Sequence, residues 1–286
     1  MYKIILLFFT MTLSYGQIKP VDIEIVRDAF GVPHIYGRSD ADTAYGLAWV
    51  HSEDDFMTIQ KAYLAGNQLL SSYLANGGII VDFLTQFIES KKTVDALFHT
   101  LSDDFIKILE AYSQGINRYA ELHPEEVLVK DLFPITPKKM LNYSFLQLFI
   151  SNGADQLVSK IISNNTVDLS NLGINDDIQG SNTFAFNNNK TKNGETYLAI
   201  NTHQPLDGPN SWYEVHLNSE EGTNILGATF AGAPCILTGV NEHLAWTHTV
   251  NYPDKADLFK LKMHNSKKNI YLVDNKEHKL KKYKAK

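Results

Sequence analysis

Gly180-Ser181-Asn182-Thr183-Phe184-Ala185-Phe186 is the stretch on which the reading of this chain turns. A polar run from Ser163-Asn164-Asn165-Thr166 to Asn175-Asp176-Asp177 precedes it, and an alternating apolar segment follows. A serine that follows glycine and opens a strand has one unusual use. Were the Gly180–Ser181 bond cut, Ser181 would carry a hydroxyl and a free α-amine on the same residue. An α-amine titrates near ~7.7–8.0, so it can serve as general base close to neutral pH without a separate histidine. Taken alone, Gly-Ser-Asn also reads as an ordinary turn, and the flanking sequence has to decide.

Downstream of Ser181 the apolar period is two. Thr183–Phe186 and Thr196–Ile200 read as paired strands around the turn Asn187–Gly194, and Leu206-Asp207-Gly208-Pro209 is a second turn. Trp212–Leu217, Asn224–Phe230 and Ile236–Thr238 continue the strand pattern, and the Lys-rich Lys276–Lys286 reads as a solvated edge strand or tail. Upstream, Val21–Asp28 alternates like a strand and Phe30–Gly37 is a turn into a second one. Asp40 or Asp42 is expected to cap a helix starting near Ala44, with a second helix through Phe56, Ile59, Gln60 and Tyr63. Ser102 caps a third, striped by Phe105, Ile108, Leu109, Tyr112, Ile116 and Tyr119. Pro134 and Pro137 bracket a break, and Met140–Ile150 reads as a buried helix.

The 286 residues, 44% hydrophobic, suffice for one large or two modest domains. A net charge of −6 leaves no nucleic-acid footprint. Met1-Tyr2-Lys3, the apolar Ile4–Phe9 and the small Ser14 and Gly16 read as a signal peptide over residues 1–16, cut near Gly16–Gln17. Its apolar core is far shorter than the ~20 residues of a membrane span, so no stable membrane anchor is expected. Cys235 is the only cysteine, which rules out an intrachain disulfide and suits a bacterial periplasmic or secreted protein. The expected organisation is a leader at 1–16, a mainly helical region at 17–162, a spacer at 163–180 and a strand-rich segment at 181–286.

With these pieces in place, the chain resembles the penicillin acylase family of N-terminal nucleophile hydrolases. Arg27–Gly37 is similar to the family's opening signature, and Ala44–His51 to its next block. Gly180-Ser181-Asn182 matches the self-cleavage junction, and Asn201-Thr202-His203, Gly232-Ala233-Pro234 and Leu244–Val250 match three later blocks in order. Among subfamilies, His203 and the Leu244–Val250 tract lean toward acyl-homoserine lactone or lipopeptide acylases. The resemblance implies an α+β fold, the αββα sandwich, incomplete at the C-terminus. The family's chains continue well beyond the equivalent of Lys286, and that continuation supplies an Asn to the oxyanion hole.

It also implies roles. Gly180 and Ser181 form the processing junction, and the two resulting fragments stay together as a heterodimer. Ser181 attacks the carbonyl of a small-molecule N-acyl substrate, its own amine relays the proton, and water releases the acyl-enzyme. His203 matches the position that orients the amine, which is Gln in penicillin G acylases and His in cephalosporin and acyl-homoserine lactone acylases. Read as a residue alone, His203 could also be a half-buried strand-end histidine without a role. Val250 matches the backbone donor to the oxyanion. Asp254 and Asp257 align with calcium ligands of penicillin G acylases, though they also suit a solvated loop; no cofactor is required for the chemistry itself. His51, His216, His243 and His248 are expected to be structural. Where the family carries Asp-Arg after its histidine, this chain has Glu53-Asp54-Asp55, which puts the local salt bridging in question. Two further readings stay open: a non-catalytic remnant that binds rather than hydrolyses, and an acylase of β-lactam side chains.

Overall fold

The computed structural model describes residues 17–151, 153, 180–250 and 259–282. The leader at 1–16, nearly all of the spacer, and Asp254 and Asp257 lie outside the described residues.

After a 3-10 turn at Pro20–Asp22, β1 (Glu24–Arg27) and β2 (Pro33–Gly37) pair antiparallel, Ile25 opposite Ile35. Asp28 builds the turn between them, its carboxylate accepting the N–H groups of Phe30 and Val32 at 2.8 and 2.9 Å. Strand alternation sends Ile35 into the core and turns His34 and Tyr36 to the opposite face.

Helix α1 (Asp40–Gly66) begins earlier than the sequence reading placed it. Its cap is Ser39, in a capping box: Ser39 Oγ accepts the Asp42 N–H, and the Asp42 carboxylate accepts the Ser39 N–H. The two expected helices are one element with a kink at Asp55, whose φ of −156° and ψ of 61° are not helical. Asp55 re-caps the second half, accepting the Thr58 N–H at 3.1 Å. Leu47, Val50, Ile59, Tyr63 and Leu64 on α1 are fully buried.

Three helices escape the periodicity: α2 (Leu70–Leu74), α3 (Ile79–Phe87) and α4 (Ser90–Leu97). The buried Asp82 carboxylate ties two of them, accepting from Leu70 N–H, Ser71 N–H and the Ser71 hydroxyl. Helix α5 (Asp103–Leu122) is capped by Ser102 as expected, and Leu109, Tyr112, Ile116 and Tyr119 of its stripe are buried. It crosses α1 closely: a Cβ on Gly115 would lie 2.5 Å from the Tyr45 carbonyl oxygen. Past the break, with a cis Phe133–Pro134 peptide, α6 (Pro137–Ser151) opens on its proline and packs on α1.

The strand-rich segment starts with the hairpin β3 (Ser181–Phe186) and β4 (Tyr197–Thr202), a two-stranded sheet. Then β5 (Tyr213–Ser219), β6 (Asn224–Thr229), β7 (Thr238–Val240) and β8 (Ala245–Trp246) form an antiparallel meander. The meander joins the opening hairpin through a parallel β2–β5 pairing, giving a six-stranded sheet in the order β1-β2-β5-β6-β7-β8. Ile35, Val215 and Leu217 of this sheet enter one core with α1, so a helical layer covers one of its faces. At the β6–β7 connection Gly232 (φ +77°) lies against the Tyr63 ring, and the Tyr63 hydroxyl donates to its carbonyl at 2.6 Å. Last come β9 (Lys262–Met263), β10 (Ile270–Val273) and β11 (Lys276–Lys279), a separate sheet whose outer strand β11 is exposed throughout, as its lysines led one to expect. The architecture is the expected α+β.

Candidate active site

The hairpin register builds the site. Ser181 lies opposite Thr202 and Asn182 opposite Asn201, so His203, the next residue after β4, falls beside the Gly180–Ser181 bond. The Ser181 hydroxyl donates to the Gly180 carbonyl at 2.7 Å, and its oxygen is 3.5 Å from the His203 backbone nitrogen. The imidazole lies alongside: a Cβ placed on Gly180 would be 3.7 Å from His203 Nδ1. Asn182 and Asn201, facing each other across the hairpin, direct their amide nitrogens at His203 Nε2 from 3.3 and 3.2 Å. With an amide donating, Nε2 accepts through its one lone pair and the ring proton sits on Nδ1.

Ser181, His203 and Gly180 are thus brought together. Val250 closes its described run 39% exposed, and among the described residues no hydrogen bond joins it to Ser181 or His203. Asn182 and Asn201 were not assigned roles from sequence. Both sit in the matched blocks, but only the register reveals that they share one imidazole.

A cavity of about 580 Å³ opens between α1, α2, α6 and the loop after His203. Its lining is largely apolar, with Ala62, Ala65, Leu70, Leu146 and Ile150, and Leu206–Ser211 forms another wall. Leu206 is three residues past His203, so the wall starts within about 11 Å of it, since a chain extends at most ~3.6 Å per residue. Asp55, at the kink of α1, is a carboxylate in this lining.

The questioned salt bridging is present. Arg27 holds Asp54 in a two-pronged pair at 2.9 and 3.0 Å and also reaches Glu53 at 3.4 Å. The Tyr213 hydroxyl donates to Asp54 at 2.5 Å, and burial together with that bond pushes the phenol well above its ordinary range. His51, one turn away, stacks on Tyr213 with ring centroids 4.0 Å apart. Its burial lowers the imidazole to about 4, which keeps it neutral, as a structural histidine should be. Among the described residues, His123, Glu125 and Glu126 form the one three-membered cluster compact enough for a metal ion, with both carboxylates exposed.

A family model described as penicillin amidase matches residues 22–286, and the chain belongs to that family. One relative is the acyl-homoserine lactone acylase PvdQ of Pseudomonas fluorescens strain Pf0-1. The two are 25% identical over 301 residues, an alignment covering 94% of this chain and 38% of that protein. Another is the acyl-homoserine lactone acylase QuiP of the same strain, at 22% identity over 83% of this chain and 35% of that protein. The chain therefore spans little more than a third of the length of the relatives it matches. Among solved structures, a thermostable penicillin G acylase from Alcaligenes faecalis is similar with a TM-score of 0.39 and 17% identity, covering 51% of this chain and 93% of that one.

Proposed function

We propose that this chain is the self-processing, nucleophile-bearing part of an N-acyl amide hydrolase, and that its substrates are of the acyl-homoserine lactone or lipopeptide type. The observation that carries the reading is the Ser181 hydroxyl on the Gly180 carbonyl, with the His203 imidazole alongside. Turning about its Cα–Cβ bond brings Oγ from the carbonyl oxygen onto the carbonyl carbon. Attack there forms the Oγ–C bond and breaks the C–N bond. The hydroxyl proton passes to the departing nitrogen, which becomes the free amine of Ser181, and water then hydrolyses the ester. In the mature protein the same hydroxyl attacks substrate, with the new amine as base and His203 orienting it. The apolar cavity a few residues beyond His203 suits an acyl chain, and the names of the PvdQ and QuiP relatives favour this substrate type over a β-lactam side chain. Calcium at Asp254 and Asp257 is a proposal on the family resemblance alone. So are export through residues 1–16 and the backbone role of Val250.

Mass spectrometry of the purified chain tests the reading. A fragment whose N-terminus is Ser181 is expected, absent in Ser181→Ala. A Ser181→Ala chain that still splits at that bond would overturn it.

A further inference from the structure

His34 and His216 are 182 residues apart, yet the parallel β2–β5 register sets them directly opposite one another. Both lie on the sheet face turned away from the helices, since their neighbours Ile35, Val215 and Leu217 fill the core. Their Nδ1 atoms face each other at 3.0 Å, with the rings inclined at 72°.

The outer nitrogens decide where the protons of that contact sit. His216 Nε2 is 2.7 Å from Asn224 Oδ1, and Asn224 commits its amide nitrogen to Glu242. The amide oxygen can only accept, so His216 carries its proton on Nε2 and presents a bare Nδ1 lone pair. His34 Nε2 lies 3.8 Å from the Asp28 carboxylate, too far for a hydrogen bond. His34 is therefore free to carry its proton on Nδ1 and donate it to the bare His216 Nδ1 across 3.0 Å. That proton is the one a metal ion would displace to take both lone pairs.

We propose that His34 and His216 form a two-histidine site for a borderline divalent transition-metal ion such as Zn2+, Ni2+ or Cu2+. Imidazole nitrogens ligate such ions at ~2.0–2.1 Å, so two nitrogens 3.0 Å apart fit adjacent positions on one ion. An outward ring N–H donated to an amide oxygen or carboxylate is the arrangement that orients and strengthens histidine ligands. The His34 side chain is 28% exposed, which lets water complete the sphere. Soft-to-borderline ions at the upper end of the affinity order suit a site with few, nitrogenous ligands. His34 precedes Gly180 and His216 follows it, so the ion would also clamp the two fragments together. That clause alone rests on the proposed cleavage.

The test is calorimetric titration of untagged protein with Zn2+, with Cu2+ spin resonance reporting the ligand atoms. It is run on the native chain and on the uncut Ser181→Ala chain, so that metal binding is read independently of processing. One ion per chain with two-nitrogen coordination is expected. Asn224→Ala, which leaves both rings in place, should weaken binding by about 10–100-fold; His34→Gln and His216→Gln should weaken it at least as much; His123→Gln should not. Binding that depends on His123 and ignores His34 and His216 would overturn the proposal. So would a native chain that takes up no ion, and a plain N–H···N hydrogen bond would then be the account of the 3.0 Å contact.

Discussion

The helical layer and the Ser181 hairpin are built to different standards of closure. In the first, α1 and α5 bury side chains completely, and the buried Gln60 donates to the Glu126 carbonyl and accepts the Leu128 N–H. In the hairpin, Phe184, Phe186, Tyr197 and Ile200 are 57, 45, 45 and 43% exposed. Among the described residues, Val215, Leu217 and Ala231 are the only buried apolar side chains contributed from after residue 180. The stabilising core and the candidate site are therefore separated. The helical layer and the six-stranded sheet carry the fold, while Ser181 sits on a ribbon held by its own register and a few polar contacts.

This contrast can be broken by substitution. The largest expected effect is at Ile59, fully buried in α1: Ile59→Ala should cost about 2–5 kcal/mol in urea unfolding. A loss under ~1 kcal/mol would mean that the layer is looser than described.

Next comes acid. An unfolded His51 titrates near 6.5 and the folded one near about 4. Its folded value is the lower one, so above pH ~6.5 its contribution is fully present. As pH falls toward ~4 the unfolded chain takes up a proton the folded one refuses, and up to roughly 3 kcal/mol is lost. His51→Phe keeps the stack on Tyr213 and should flatten the fall in urea midpoint between pH 7 and 4.5; an unchanged slope would assign the loss to other groups.

Smaller again is Tyr213→Phe, which removes the donor to Asp54 from a partly exposed network. About 1–2 kcal/mol is expected, and Arg27→Ala combined with it should give less than the sum of the two losses, read by a double-mutant cycle. Smallest is Phe184→Ala on the hairpin, within ~0.5 kcal/mol by the same melts. A loss as large as at Ile59 would show that the ribbon is packed in solution and the contrast false.

The sequence was most legible where period and punctuation agreed. The α5 stripe with its Ser102 cap and the Asn187–Gly194 turn between β3 and β4 follow from local chemistry, whereas Pro137, read as the edge of a break, is the first residue of α6. The start of α1 was misplaced because Asp40 and Asp42 also make good caps. The reciprocal bond that selects Ser39 exists only once Asp42 turns back toward it. Helices α2 to α4 are short, and α2 depends on a carboxylate, Asp82, from the next helix, so no local pattern announces them. At the site, Ser181 and His203 could be read from the matched blocks, while the Asn182–Asn201 pair needed the register. The Arg27–Asp54–Tyr213 network needed three separate segments, which is why Glu53-Asp54-Asp55 looked like a loss of pairing when Asp54 had kept it.

The parallel pairing of β2 with β5 has a further consequence. The strands meet across 182 residues of sequence at His34 and His216, a closure that makes first folding slow compared with the local pairing of the hairpin. Cutting after Gly180 would turn that ladder from an internal contact into an association between two polypeptides. Melting would then become second order: its midpoint would climb with protein concentration, as it does for any obligate pair, whereas the uncut chain would melt at one temperature however dilute. A dilution series would then report the state of a single peptide bond.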